Sequence, residues 1–158
     1  MIKTIIFYLY LCVFVYVFSR FNRVTHEDLY KELYFEYKNK YNTKIEIKEI
    51  KGLRSSGFFY YIVNKREICT YPENILINKT TYKKMLNTLI HELTHYLQCL
   101  YSKQKNKIMG AITNNKPLNK TKQFIENLYS QKFWNMEYEA FYYQDNIDKF
   151  NNLEQLVI

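Results

Sequence analysis

Residues 91–95 read His91-Glu92-Leu93-Thr94-His95. In a helix, side chains at i and i+4 leave the same face about 6 Å apart, so two imidazoles can grip one cation at ~2.0–2.1 Å. Neutral imidazole suits a borderline metal such as Zn²⁺, and a glutamate beside the first ligand can reach a water on that metal as general base. The chain has three histidines and spends two of them here. The bland alternative is a pair of half-buried core histidines on an amphipathic helix. A catalytic zinc needs a third protein ligand, with water in the fourth place. His26 is the spare histidine, but it sits in a capping turn just past an apolar segment, where a surface histidine is the ordinary reading.

The motif must stand on a helix, and the local pattern supplies one. From Thr80 onward Tyr82, Met85, Leu86, Leu89, Ile90, Leu93, Leu97 and Leu100 recur at three- and four-residue steps for five turns. Upstream, residues 25–40 place Leu29, Leu33, Tyr34 and Tyr37 at helical spacing, with Thr25 and Asp28 at capping-box positions. Residues 44–50 alternate strictly and predict a half-buried strand. Gly52 and Ser55-Ser56-Gly57 punctuate a turn before a second strand at 58–63. A third is expected at 67–71, and Pro72 is expected to end it before a fourth at 74–78. Downstream, residues 110–122 read as a polar loop, 123–143 as a second long helix, and 145–158 as a short closing helix. The fold class is therefore α+β: three or four short, mostly antiparallel strands packed on a central motif-bearing helix, with a second helix towards the C-terminus.

HELTH resembles the motif of the zincin metallopeptidases, in the form found in thermolysin-like enzymes and many small relatives. The order of elements is similar too: a leading helix, a compact sheet, the metal helix, then a helix that donates a third ligand. The resemblance is specific over five residues and architectural over the rest. Position 101 is Tyr101, so the extended metzincin pattern with a third histidine fails. The gluzincin arrangement, with a downstream carboxylate ligand, is what the resemblance implies. The sequence offers Glu137-Tyr138-Glu139-Ala140. Glu137 fits the E-x-x-A spacing of several zincin groups, whereas Glu139 directly precedes Ala as the ligand does in thermolysin-like enzymes. The two project about 200° apart on a helix, so only one can face the metal. An Asp four residues after the ligand is common in both groups, but those positions are Phe141 and Tyr143 here.

The resemblance implies a zinc-dependent endopeptidase acting on a peptide or protein substrate, with His91, His95 and Glu137 holding Zn²⁺ and Glu92 as general base. The missing Asp leaves a second reading, a catalytically inactive zincin-like module that binds a partner. Tyr138, Tyr142 or Tyr143 is a candidate to stabilise an oxyanion, and strand 74–78 a candidate edge for an extended peptide. Cys99, one turn beyond His95, reads as a small buried residue rather than a metal neighbour.

The rest of the composition bounds the setting. At 158 residues, 47% hydrophobic and 24% charged, the chain is one globular domain's worth. Residues 5–18 are unbroken apolar and aromatic, flanked by Lys3, Arg20 and Arg23. Residues 1–23 read as an uncleaved single-pass membrane anchor, or alternatively as a secretion signal, ahead of the domain at 24–158. A net charge of +8 is spread through the chain with no run of five like charges, which describes a solvated Lys-rich surface rather than a nucleic-acid partner. Three cysteines allow at most one bridge within the domain, since Cys12 lies in the apolar segment.

Overall fold

The computed structural model describes residues 24–39 and 45–158. The apolar segment 5–18 therefore lies outside the described residues, as do Lys40 and Lys44 at the edges of two expected elements. Among the described residues no helix is long and apolar enough to cross a membrane.

Helix α1 (His26–Asn39) opens with the expected capping box: the Thr25 amide donates to Asp28 Oδ2 at 2.9 Å, and the Asp28 amide donates to Thr25 Oγ1 at 3.2 Å. It buries Tyr30, Leu33 and Tyr37. The Tyr30 hydroxyl donates to Glu49 and the Tyr34 hydroxyl to the Ile47 carbonyl, which ties α1 to strand β1 (Glu46–Ile50). Strands β2 (Gly57–Val63) and β3 (Cys69–Asn78) complete an α+β domain whose described sheet has the order β1-β3-β2.

The sheet is mixed. β2 runs antiparallel to β3, but β1 pairs parallel to it, from Glu46 opposite Asn74 to Ile50 opposite Asn78. The two strands expected on either side of Pro72 are one strand. Pro72 is tolerated because the register slips beside it, Tyr60 facing Asn74 and Tyr61 facing Pro72. The proline thus sits at an irregularity, one of the places where a strand accommodates a missing N–H. This join also makes 74–78 the centre of the sheet. It is flanked on both sides and offers no free edge; among the described strands β1 and β2 are the edges instead.

Helix α2 (Tyr82–Lys105) lays its apolar face on the sheet and buries Met85, Leu89, Ile90, Leu93 and Leu97 along its length. It ends at Asn106 in the left-handed conformation (φ 50°), whose N–H returns to the last turn. The expected long helix at 123–143 is two helices, α3 (Asn119–Leu128) and α4 (Trp134–Tyr143), separated by an extended Tyr129 and a short 3₁₀ turn at Gln131–Phe133. Helix α5 (Ile147–Gln155) closes the chain, with the Asn146 side chain as its cap.

A second, smaller core of Cys69, Cys99, Met109 and Met136 lies beyond the motif, and in it Cys69 and Cys99 form a disulfide between β3 and α2. The bridge spans 30 residues of sequence, and closing a loop of that length stabilises a fold by about 3–4 kcal/mol. Replacing both cysteines with Ala should lower the unfolding free energy by that amount. Denaturation followed through Trp134 fluorescence measures it, and an unchanged midpoint would show that the bridge braces nothing.

Candidate metal centre

His91 and His95 stand one turn apart on α2, and their Nε2 atoms lie 3.3 Å from each other. Glu137, on the first turn of α4, reaches between them: its Oε2 is 3.4 Å from His91 Nε2 and its Oε1 is 3.5 Å from His95 Nε2. The three side chains are almost buried, and among the described residues they are the group whose ligand atoms converge for a metal. The triangle has a physical meaning. Ligands at ~2.0–2.1 Å in a tetrahedron are separated by about 3.3–3.5 Å along each edge, so the two imidazole nitrogens are spaced as two corners of one tetrahedron and the carboxylate, one oxygen towards each, lies within reach of a third. Glu137 Oε2 is moreover buried with no hydrogen-bond partner, a costly arrangement for a carboxylate unless a cation satisfies it. Two imidazoles and a carboxylate are also the donor set zinc favours at a catalytic site. The residues therefore fit the metal.

In the metal-free geometry the three groups perturb one another. Burial opposes protonation of His95, but the Glu137 carboxylate outweighs it and raises its affinity for a proton. Burial likewise pushes Glu137 up, yet the facing imidazoles hold it well below the usual carboxylate range. Glu92, the neighbour of His91 on α2, is shielded from water, and burial raises its pKa above the ordinary value.

The edge strand comes close to this carboxylate. A Cβ added to Gly57, at the start of β2, would lie 3.0 Å from Glu92 Oε1, 2.9 Å from the Leu76 carbonyl and 2.5 Å from Thr88 Cγ2. Gly57 thus does more than punctuate a turn. The absence of a side chain there lets β2 approach the motif helix.

Glu139, the competing ligand, points elsewhere. Its carboxylate is fully buried and accepts hydrogen bonds from the Ile112 and Thr113 amides, the Thr113 hydroxyl and the Gln98 side-chain amide, at 2.6–2.9 Å. Gln98 links this cluster to the metal site. Its Nε2 donates to Glu139 and to the Met136 carbonyl, so its Oε1 is the atom 2.8 Å from His95 Nδ1. Because that oxygen can only accept, Nδ1 must carry the proton, and the Nε2 lone pair is left to face the metal position. Gln98 supplies the partner that the missing Asp left open. Phe141, where that Asp would stand, instead sets its ring against His91, with centroids 4.7 Å apart in an edge-to-face contact.

The tyrosines expected to serve an oxyanion face away. Tyr138 bonds to Glu126, Tyr143 accepts from Asn115, and Tyr142 packs against Tyr143 and Lys149. Tyr129, in the break between α3 and α4, is the tyrosine beside the site. Burial and the Glu137 and Glu92 carboxylates push its hydroxyl up to about 12, so it is a hydrogen-bond donor at neutral pH. His26 lies exposed at the start of α1 and is not part of the triad. Cys99 is bound to Cys69 and offers no thiolate to a metal. In the sequence, the series Phe124, Leu128, Phe133, Tyr138 and Phe141 departs from the three-and-four rhythm at two five-residue steps, and the first of them is the faint signal of the break that places Tyr129.

No protein-family model, curated protein or solved structure matches the chain. A cleft of about 680 Å³ opens over His91 and Glu92, bordered by the residues before β2, the first turns of α2, and α3 and α4.

Proposed function

We propose that the chain is a zinc-dependent metallopeptidase. The observation that carries this reading is the convergence of His91 Nε2, His95 Nε2 and the Glu137 carboxylate, each pair of groups 3.3–3.5 Å apart at its nearest atoms, with Glu92 buried beside them on an open cleft. His91, His95 and Glu137 would hold zinc, which when bound supplies Lewis acidity towards a water and a carbonyl oxygen. Glu92 takes the proton of the attacking water and delivers it to the leaving nitrogen as the C–N bond breaks. The Tyr129 hydroxyl donates to the oxygen on which negative charge develops. Gln98 keeps His95 in the ligating tautomer.

The binding-only reading drew its support from the missing Asp that would hold a ligand histidine, and Gln98 offers His95 that partner. A buried Glu92 also has no evident use in a site that only binds. The substrate is a peptide or protein, and residues 1–23 would hold the domain at a membrane or direct its secretion. A disulfide in the core accords with either exported setting.

The test uses the full chain in detergent micelles. About one zinc per chain and cleavage of labelled casein, abolished by a zinc chelator and restored by zinc, is the expected result. A folded, zinc-supplemented chain that holds no metal, or holds it and leaves casein intact, would sink the reading.

A further inference from the structure

The cleft is chemically lopsided. Phe124, Leu128 and Phe141 enter it from α3 and α4, beside His91. From the other border come Arg54, just before β2, and Lys84, on the first turn of α2. Both cations are exposed, and neither has a carboxylate partner among the described residues. Glu92 is the one acidic residue lining the cleft, and it is buried at the chemistry. Between Lys84 and Glu92 on α2 the lining residues Asn87 and Thr88 are uncharged, and Asn87 donates to Asp145, a carboxylate outside the lining. An unpaired pair of cations in a concave site focuses its field on whatever binds there.

We propose that this cleft selects acidic peptides, with Arg54 and Lys84 receiving an Asp or Glu side chain while the apolar wall receives a neighbouring bulky residue. The inference rests on the peptidase reading for the ligand being a peptide. Spacing fixes where the acid must stand. Lys84 and Glu92 are eight residues apart on one helix, about 12 Å along its axis. An extended peptide advances about 3.3 Å per residue, so the acidic side chain lies three or four residues from the bond cleaved.

Zinc-loaded full chain carrying Glu92→Gln, in detergent, provides a binding assay independent of turnover. Three fluorescent decapeptides would carry Glu, Gln or Lys at that distance from a central Phe, and anisotropy would report their affinities. The Glu peptide should bind about three- to tenfold more tightly than the Gln peptide, less so in high salt. Arg54→Glu with Lys84→Glu should move the preference to the Lys peptide. Equal affinities, no binding by any peptide, a preference that survives the charge reversal, or displacement by an oligonucleotide as readily as by the Glu peptide would each overturn the proposal. Cleavage by the unaltered chain separates the two readings. Equal turnover of the three peptides removes the acid selectivity and leaves the peptidase. Acid-selective binding without turnover does the reverse.

Discussion

Replacing Glu92 with Gln should lower kcat/KM for peptide hydrolysis by about 10²–10⁴-fold, the usual contribution of a general base, and leave zinc at one per chain. The two side chains share a shape, so the buried packing of residue 92 beside Gly57 is kept. The ligand triangle does not include Glu92, so the metal has no reason to leave. What is lost is the capacity to take a proton from water and return it to nitrogen. Glu92→Asp sharpens the test. It keeps that capacity but withdraws the carboxylate by about one methylene, and a displacement near 1 Å can cost 10²-fold. Full activity in zinc-loaded Glu92→Gln would remove the residue from the mechanism. A variant that loses zinc as well would show that Glu92 serves the metal.

The helical placement of His91, Glu92 and His95 was readable in the sequence because it depends on periodicity alone, which one element carries by itself. The α+β class and the capped leading helix were readable for the same reason. Everything that depends on two elements meeting was harder. The parallel pairing of β1 and the passage of one strand through Pro72 follow from the neighbours each strand finds, and no residue within those strands announces them. Gln98 looks in sequence like any polar residue on α2. It becomes part of the site only because α4 brings the Met136 carbonyl and Glu139 to its amide. Tyr129 was one tyrosine among 17, and the break that turns it towards Glu137 leaves only a faint trace in the hydrophobic spacing. The choice between Glu137 and Glu139 was narrowed by resemblance, but the sequence could not say which face of α4 would meet α2.

That choice yields the sharpest paired prediction. Glu137→Ala should weaken zinc binding more than 100-fold, beyond the roughly 10–100-fold cost of losing a residue that only hydrogen-bonds to a ligand, because it removes one of three protein ligands. Its effect on folding should be small by comparison, since its contacts among the described residues are with the site itself. Glu139→Ala should show the opposite profile. Its carboxylate accepts four hydrogen bonds in a fully buried setting and pins residues 112 and 113 to α4. Truncation takes the carboxylate from the Ile112 and Thr113 donors, while Gln98 keeps the Met136 carbonyl, at a cost of about 3–5 kcal/mol. The variant should melt well below the unaltered chain, yet bind zinc within about 100-fold of it at temperatures where it stays folded, the remaining loss coming from a looser Gln98. Calorimetric zinc titration and thermal unfolding on both variants separate the cases. Zinc retained in Glu137→Ala and lost in folded Glu139→Ala would exchange the two roles. Loss of zinc in both folded variants would make Gln98 and Glu139 part of the metal site's affinity rather than of its framework, and the reach of that buried network would then have to be measured at His95 itself.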